Sequence, residues 1–422
     1  MKSICMACVV ALLYPVLSAA QEKGEFRRVK DGYLEKIVRT ANTGPGGFLE
    51  LSAERGEIHV DTWERGEVRI DVEKEADVLT DVEARKIFEN FNVHISRQGN
   101  EVYISAEQED ESESKSLRVR FKLTVPQKYR LDLQTSGGSV EIGRLDGDVR
   151  VETAGGDIKV DQLSNGLVDV ETAGGNITLV GIKNGNGRAR TSGGNIKVGE
   201  VSGDLEVRTA GGTIKIDRVG GDSEAETSGG SIKLEEAGGR VRAETSGGSI
   251  HIGPVGGAVA AETSGGSIHI GPGRGAITAE ASGGSIEIRG AGGPVQATTS
   301  GGSIKIRGAR GSIEAETAGG SIEAELVVAA WNADTHCELK TLGGDIVLHL
   351  PANLAATVDA ELKVQRKVGG DYRIYSDFPL VIKDRDSKRI TGRGDINGGG
   401  DLVELRATNG DIHIRKFVPI VK

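Results

Sequence analysis

The chain repeats itself with a period of 18 residues. The twelve residues AETSGGSIHIGP stand at 243–254 and again at 261–272. A landmark of Thr or Ala, then Ser or Ala, then Gly-Gly marks each unit, and two of the steps between landmarks are 19 residues long. A period this strict is typical of repeat architectures, in which each unit packs mainly against its neighbours. The landmark begins at Thr135, Thr153, Thr172, Thr191, Thr209, Thr227, Thr245, Thr263, Ala281, Thr299 and Thr317.

Each unit predicts two short strands joined by a glycine turn. In the unit at 258–270, apolar or Thr residues alternate with polar or small ones before Ser-Gly-Gly, and Ile268 and Ile270 flank His269 after it. Alternation with a period of two indicates half-buried strands. The columns that carry Glu or Lys in unit after unit must face water, so the Ile and Val/Ala/Thr columns are predicted to be interior. We expect the glycine pairs to supply positive φ angles and close backbone approach at the corners.

Two assemblies can be built from such units: an antiparallel meander of hairpins, or a solenoid in which each unit is one coil. In a solenoid every residue lies beside its own equivalent at about 4.8 Å, which explains both the strict period and the near-identical units. The sequence therefore predicts an all-β fold, a single-stranded parallel β-helix with 18-residue coils. Right-handed winding is expected from the general rule for parallel crossovers.

The composition agrees with a thin interior and restricts the partners. Only 4% of the residues are aromatic and 63 are glycine, so small side chains must fill the core. The net charge is -10 and no block of Lys and Arg occurs, whereas nucleic-acid binding needs a basic patch. Nucleic acid is therefore not an expected partner.

The first twenty residues predict a signal peptide. Lys2 precedes an apolar run, and Ser18-Ala19-Ala20 places small residues at a cleavage site, so the mature chain is expected to begin at Gln21. A transmembrane anchor is the alternative, but the run is shorter than the roughly 20 residues that a membrane span needs. We expect an exported protein that is periplasmic, on the cell surface or secreted.

Four regions are predicted. The signal peptide occupies 1–20, a β-rich N-terminal cap with a short helix near 81–91 occupies 21–130, the regular coils occupy 131–325, and an irregular continuation with a second cap occupies 326–422. Caps are expected because the raw ends of a solenoid would otherwise template aggregation. The helix is expected to begin at Asp81 and to bury an apolar face that consists of Val82, Ile87 and Phe91.

The regular spacing also aligns ionisable residues in columns. His251 and His269 are predicted to stack on adjacent coils, within reach of a shared metal ion in principle. Glu226, Glu244, Glu262 and Glu280 form a similar column that suggests calcium binding or acid/base chemistry. Both columns are interpreted as solvated surface, because the histidine column also carries Lys215, Lys233, Glu287 and Lys305. No catalytic, cofactor-binding or metal-binding residue is assigned.

One cysteine remains after the signal peptide. Cys337 lies beside His336 and Asp334, which suggests a nucleophile, but sequence neighbours on a strand point to opposite faces. Cys337 is therefore interpreted as a buried residue without a catalytic role. Because a single thiol cannot form an internal disulfide, the fold must be stable without one.

Several segments together resemble a known family. The lead-in FKLTVPQKYRLDLQTSGGSVEIG at 121–143, the ladder of glycine turns and the closing GGGDLVELRATNGDIHIRKF at 398–417 are similar to a provisionally assigned family of bacterial adhesins built from a β-strand repeat domain of unknown function. The resemblance covers nearly the whole mature chain. It implies an exported or envelope-associated β-solenoid, and it brings no catalytic residues.

These observations predict a non-enzymatic, adhesin-like protein with a binding or envelope-scaffolding role. The expected partner is a component of the cell envelope or of an extracellular surface, either protein or polysaccharide, and no cofactor is expected. The alternative is a carbohydrate-active β-helix enzyme, a polysaccharide lyase or hydrolase. That alternative requires an acidic cluster on the irregular segment 326–400, to which four aspartates could contribute: Asp371, Asp377, Asp384 and Asp386.

Overall fold

Two parallel β-sheets run along the repeats, and each coil contributes one strand to each sheet. The computed structural model describes residues 24–110, 116–327, 334–365, 372–385 and 388–417. The predicted signal peptide at 1–20 lies outside these residues. The predicted all-β solenoid is confirmed, with its 18-residue coils and its short N-terminal helix.

The strands that end at the landmark residue form one sheet, which we call the threonine sheet. They alternate along the chain with strands of the other sheet. In the repeats they are β12 (Val149–Thr153), β14 (Val168–Thr172), β16 (Gly187–Thr191), β18 (Leu205–Thr209), β20 (Ser223–Thr227), β22 (Val241–Thr245), β24 (Val259–Thr263), β26 (Ile277–Ala281), β28 (Val295–Thr299), β30 (Ile313–Thr317) and β32 (Cys337–Thr341).

The strands that follow the glycine turns form the second sheet, the isoleucine sheet. Most of them begin with a buried Ile. They are β10 (Val140–Ile142), with the short β11 (Leu145–Asp146) after it, β13 (Ile158–Ser164), β15 (Ile177–Lys183), β17 (Ile196–Val201), β19 (Ile214–Val219), β21 (Ile232–Ala237), β23 (Ile250–Ile252), β25 (Ile268–Ile270), β27 (Ile286–Ile288), β29 (Ile304–Ala309), β31 (Ile322–Leu326) and β33 (Ile346–Pro351).

The pairing register confirms the predicted stacking of equivalent residues. Thr245 pairs with Thr263 in the threonine sheet, and Ile250 pairs with Ile268 in the isoleucine sheet, both in parallel. The meander alternative is wrong, because its hairpins would pair antiparallel strands within a unit. The predicted side-chain parity is also confirmed, since Ile268 is 0% exposed whereas His269 faces solvent.

The two 19-residue units place their extra residue in a turn, as expected. Asn165 and Asn184 follow β13 and β15 with φ angles of 54° and 52°. Asn adopts this left-handed conformation at less cost than most other residues. The strands on either side therefore keep their register, and Thr153 still pairs with Thr172.

A ladder of threonine hydroxyl groups joins the coils inside the solenoid. The Thr263 hydroxyl donates to the Gly248 carbonyl of the preceding coil at 2.8 Å and accepts the Gly266 amide of its own coil at 3.2 Å. The same pair of bonds recurs at Thr227, Thr245 and several other landmark residues. The buried hydroxyl thus satisfies one carbonyl and one amide at each corner, which explains why Thr occupies an interior column.

The glycine pairs allow the close backbone approach that was predicted, but they do not adopt the predicted positive φ angles. Within the described residues, none of the repeat pairs has a positive φ angle. A Cβ atom at Gly266 would instead lie 2.2 Å from the Gly248 carbonyl oxygen, and one at Gly156 would lie 2.1 Å from the Gly138 oxygen. The second glycine of each pair is therefore required by the close approach of neighbouring coils, because the turns stack directly on one another.

A second ladder, which we call the corner ladder, begins at the residue after each glycine pair. Its side-chain oxygen accepts the backbone N–H of the equivalent residue in the next coil, for example Asn176 Oδ1 from the Asn195 amide at 2.9 Å. Asp, Asn and Ser suit this position because their short side chains reach a nearby backbone group. The accepting residues are Ser139, Asp157, Asn176, Asn195, Ser231, Ser249, Ser267, Ser285, Ser303, Ser321, Asp345 and Asp411.

At the N-terminal end, the coils stack in an order that differs from the order of the chain. The coil of β3 and β4 lies between the coil of β7 and β8 and the coil of β9 and β10. Antiparallel strands then close both sheets, β6 on β7 and the series β5, β2 and β1 on β8. The elements are β1 (Glu25–Val29), β2 (Gly32–Asn42), β3 (Gly47–Ala53), β4 (Glu57–Trp63), β5 (Glu67–Ala76), α1 (Asp81–Glu89), β6 (Phe91–Gln98), β7 (Glu101–Gln108), β8 (Leu117–Pro126) and β9 (Tyr129–Thr135).

Helix α1 begins at Asp81 as predicted, but its buried face differs from the expected one. Thr80 caps the helix by accepting the Glu83 amide at 3.3 Å. The buried residues are Ala84, Ile87 and Phe88. Val82 is 74% exposed, because the buried stripe follows positions three and four apart and Val82 lies outside it. Phe91 is buried as expected but belongs to β6.

The C-terminal end shows the same exchange of coil order. The last strands of the chain, β38 and β39, lie directly against β32 and β33. The coil of β34 and β35 lies beyond them, and the antiparallel strands β37 and β36 close the threonine sheet. These strands are β34 (Ala356–Lys363), β35 (Ile374–Ser376), β36 (Val381–Arg385), β37 (Arg389–Ile396), β38 (Asp401–Thr408) and β39 (Ile412–Phe417).

Candidate binding surfaces

The outer face of the threonine sheet carries the predicted column of carboxylates. Glu226, Glu244, Glu262 and Glu280 pair in register on successive strands. Adjacent strands lie about 4.8 Å apart, which sets the spacing of the column. The Glu244 carboxylate accepts a hydrogen bond from Arg242, and Arg208 lies 3.2 Å from Glu226. Among the described residues, no cation lies within ion-pair distance of Glu262 or Glu280.

A shallow cleft of about 650 Å³ crosses the start of these strands, from Leu167 to Thr278. Its charged residues are already paired. Glu206 accepts hydrogen bonds from Arg190 at 2.8 Å and from Arg188 at 3.1 Å. The Arg190 hydrogen bond is the main cause that lowers the pKa of Glu206. A carboxylate held as an anion is a poor general acid.

Asp222 shows the same stabilisation of the anion elsewhere in the cleft. Its carboxylate accepts the Arg240 backbone amide at 2.8 Å and the Arg240 guanidinium at 2.8 Å. The backbone hydrogen bond, followed by that of the guanidinium, lowers the pKa of Asp222. Asp222 thus links its own coil to the next one through hydrogen bonds from Arg240.

The outer face of the isoleucine sheet carries the predicted histidine stack. His251 and His269 pair in register, and their ring centroids lie 6.3 Å apart with an interplanar angle of 37°. His269 Nε2 lies 3.9 Å from a Glu287 carboxylate oxygen. Within the described ranges, no group of three or more His, Cys, Asp or Glu residues is placed to hold a metal ion. The same column continues with lysines, at Lys233, Lys215 and Lys197.

The remaining strand histidines also lie on outer faces. His59 contacts Asp61 at 3.1 Å and Glu141 at 3.6 Å. His413 stacks against Tyr375 of the neighbouring strand, with ring centroids 4.7 Å apart and an interplanar angle of 7°. The alternation of side chains along each strand thus places both histidines outward.

Cys337 occupies the interior of the threonine sheet. It is 0% exposed and lies between Ile313 and Val403 of the two adjacent strands. Burial raises the pKa of its thiol to about 12. Because the reactive species is the thiolate, this thiol is unsuited to nucleophilic chemistry.

The aspartates on which the enzyme alternative depends do not all lie within the described residues. Asp371 and Asp386 are outside them. Asp377 follows β35 in the isoleucine sheet and accepts the Lys416 amide at 2.9 Å, whereas Asp384 belongs to β36 in the threonine sheet. The two described members therefore lie on different sheets.

The structure brings together one pair of carboxylates that the sequence did not predict. Glu50 of β3 and Asp132 of β9 are paired neighbours on the outer face of the threonine sheet. Burial, followed by the charge of Asp132, raises the pKa of Glu50. Burial is also the main cause that raises the pKa of Asp132, although Arg150 opposes it. No sequence signal could reveal this pair, because it depends on the exchanged order of the N-terminal coils.

The described residues contain no helix that is long and apolar enough to cross a membrane. No curated protein matches the chain in sequence. Three solved structures match this chain with low TM-scores, so they carry no argument about its fold or about what it binds.

The first is a provisionally assigned adhesin of Bacteroides fragilis, with 15% identity, coverage of 75% of this chain and 97% of the other, and a TM-score of 0.22. The second is a provisionally assigned cell adhesion protein of Clostridium sporogenes, with 8% identity, coverage of 91% and 100%, and a TM-score of 0.19. The third is a provisionally assigned lipid-binding protein of Parabacteroides distasonis, with 12% identity, coverage of 68% and 94%, and a TM-score of 0.22.

A family model matches residues 49–289, which is more than half of the chain. The match begins in β3 of the N-terminal end and extends through the regular coils to β27. It confirms the resemblance to a β-strand repeat domain of unknown function, and the chain belongs to the Toastrack DUF4097 family.

Proposed function

We propose that this chain is an exported, non-enzymatic binding protein with an adhesin-like or envelope-scaffolding role. Its partner is a component of the cell envelope or of an extracellular surface, protein or polysaccharide. In this proposal the regular coils form the contact surface, and residues 21–130 and 326–422 cap the stack.

The observation that carries the proposal is the exact register of the outward columns. Glu244 pairs with Glu262, and His251 pairs with His269, so neighbouring coils present the same group at the same place. Repetition of one weak contact along a rigid stack raises the overall affinity, because each further contact forms intramolecularly. A long stack with short turns is suited to this mode of binding.

The state of the ionisable groups also supports binding over catalysis. Catalysis by a carboxylic acid near neutral pH needs a raised pKa in a concave site. The cleft carboxylates Glu206 and Asp222 have lowered pKa values, and the raised pair Glu50 and Asp132 does not line the cleft. The geometry thus favours a surface that recognises a partner.

The test measures binding and turnover on the same mature protein. Variants that lack one, two or three whole coils between Ala243 and Thr299 are assayed for association with envelope extracts and with surface polysaccharides. Affinity is expected to fall with each coil removed, and no polysaccharide turnover is expected. Binding that is indifferent to coil number would assign the contact to the end regions. Turnover that is abolished by Asp132→Asn or by Asp377→Asn would overturn the non-enzymatic role.

A further inference from the structure

The two outer faces of the solenoid differ in charge. On the threonine sheet, the outward positions of β20 to β30 hold seven glutamates and one arginine. On the isoleucine sheet, the outward positions of β17 to β29 hold six Lys or Arg residues and five Asp or Glu residues, together with His251 and His269. We call these surfaces the acidic face and the basic face.

Each face contains exposed charges that lack an ion-pair partner within the part of the chain that the structure describes. On the acidic face these include Glu262 and Glu280, which pair in register on adjacent strands. On the basic face they include Lys197 and Lys215, which also pair in register on adjacent strands. Both pairs therefore have the spacing of adjacent strands, about 4.8 Å.

The positions of the two pairs along the stack are also related. Glu262 belongs to the coil of β24 and Glu280 to the coil of β26. Lys197 lies in β17, in the same coil as β16, and Lys215 lies in β19, in the same coil as β18. Each glutamate thus lies four coils beyond its matching lysine. Two copies placed side by side with the same axis direction, and shifted by about 19 Å, bring both glutamates of one copy opposite both lysines of the other.

We propose that the acidic face of one copy docks against the basic face of a second copy. A polyanion would match only the lysine column and a polycation only the glutamate column, whereas a second copy matches both. Each docked copy keeps one face free, so the contact is heterologous and continues into a lateral array. This assembly goes beyond the binding of a surface component and is measured on the protein alone.

The contact is expected to be weak and sensitive to salt. Exposed ion pairs contribute little individually, and salt screens them over about 10 Å at 0.1 M ionic strength. The net charge of -10 also opposes association. A series of matched pairs between rigid columns offsets these effects, because all pairs form together once two copies align.

The experiment is sedimentation velocity of the mature protein over a concentration series at low and at high salt. The wild-type protein is expected to self-associate at low salt, and its association constant is expected to fall about tenfold or more at 0.5 M salt. The acidic-face variant carries Glu262→Lys and Glu280→Lys, and the basic-face variant carries Lys197→Glu and Lys215→Glu. Each variant alone is expected to lose self-association.

Mixing the two variants is the decisive step. The acidic-face variant then presents lysines at both paired sites of the contact, and the basic-face variant presents glutamates at both, so the mixture is expected to form complexes that neither forms alone. A control with Glu25→Lys and Glu64→Lys has the same net charge as the acidic-face variant and is expected to associate like wild type. Circular dichroism checks that all variants fold.

Three results would overturn the proposal. The first is a wild-type protein that stays monomeric at low salt, together with a mixture that forms no complex. The second is self-association that neither charge reversal weakens, which would assign the contact to the edge strands at the ends. The third is a monomeric wild type that binds polyglutamate through Lys197 and Lys215, which would identify an acidic polymer as the partner.

Discussion

The Asp345 carboxylate accepts the backbone N–H of Asp411 at 2.8 Å, although 66 residues separate them in the chain. Asp411 in turn accepts the Arg373 amide at 2.8 Å. The corner ladder therefore runs from the coil of β33 to that of β39 and only then to β35. Strands β38 and β39 are thus inserted inside the stack, and the earlier strands β34 and β35 lie beyond them.

Removal of the Asp345 acceptor should loosen this insertion. Asp345→Ala is expected to destabilise the fold by about 1 kcal/mol, since a hydrogen bond to a charged acceptor is lost at an exposed corner. Asp345→Asn is the matched control and should stay close to wild type, because Asn176 and Asn195 accept the same bond in other coils. Chemical unfolding measures the free energy of unfolding of both variants. An equal loss in the two variants would show that the charge, and not the acceptor, matters.

Ala281 is an interruption of the threonine ladder that a substitution can repair. It pairs with Thr263 and Thr299 and is 7% exposed, but it lacks the hydroxyl group that its neighbours use. Ala281→Thr is expected to stabilise the fold by about 0.5–1.5 kcal/mol through the restored bonds. Ala281→Val, with a similar shape and no hydroxyl, should give a smaller gain. If thermal melts rank Val above Thr, packing rather than hydrogen bonding dominates at this site.

The two glycines of one turn should respond differently to the same substitution. A Cβ atom at Gly156 would lie 2.1 Å from the Gly138 oxygen, whereas one at Gly155 meets no atom within 4 Å. Gly156→Ala is therefore expected to destabilise by about 2–4 kcal/mol through backbone displacement, and Gly155→Ala by less than about 1 kcal/mol. Comparable losses at both positions would contradict the explanation from close coil approach.

Whole coils should be removable, but half coils should not. Deletion of residues 243–260 joins Arg242 to Ala261, which continues the strand because Ala261 pairs with Ala243. Deletion of 243–251 brings isoleucine-sheet residues into the threonine sheet. Cooperative unfolding is expected to persist only in the first variant. Circular dichroism melts distinguish the two, and loss of cooperativity in both would argue against a modular stack.

The pair of Glu50 and Asp132 should make stability depend on pH. Because burial raises the pKa of Asp132 above its ordinary value of 3.8, the ionised form is less favourable in the folded state. Its contribution to stability therefore falls as pH rises from about 3.8 through the raised pKa, and it stays low above that range. Asp132→Asn should consequently gain stability relative to wild type as pH rises from 3 to 7, as measured by urea unfolding.

Coupling to the neighbouring carboxylate provides the control. In a Glu50→Gln background the gain from Asp132→Asn should be smaller, because part of the repulsion is already removed. Arg150 opposes the shift at Asp132. If the stability of Asp132→Asn relative to wild type falls between pH 3 and pH 7, attraction by Arg150 outweighs burial and the explanation is wrong.

The repeats could be predicted from the sequence almost residue by residue. The period of 18 and the alternation around Ile268 and His269 were sufficient to predict coil length, strand parity and the stacking of His251 on His269. One unit contains the information needed to predict the others, because the parallel register places each residue beside its own equivalent in the next coil. The helix start at Asp81 was predictable for the same reason, since capping acts within one turn.

Other features were decided by contacts between distant parts of the chain. The sequence did not indicate that the coils at both ends exchange places, that Glu50 meets Asp132, or that Val82 faces solvent. The sequence also suggested positive φ angles at the glycine pairs, which none of the described repeat pairs adopts.

The physical reason is that strand pairing at the ends is not fixed by periodicity. Where units are identical, the register that buries every Ile and Thr column is the one that stacks each unit on the next. Where units differ, as between β33 and β39, the period does not specify which coil stacks on which, and the observed order is joined by hydrogen bonds such as the one from the Asp411 amide to Asp345. The sequence by itself therefore determined the coil, whereas the tertiary structure decided the order of the coils at both ends.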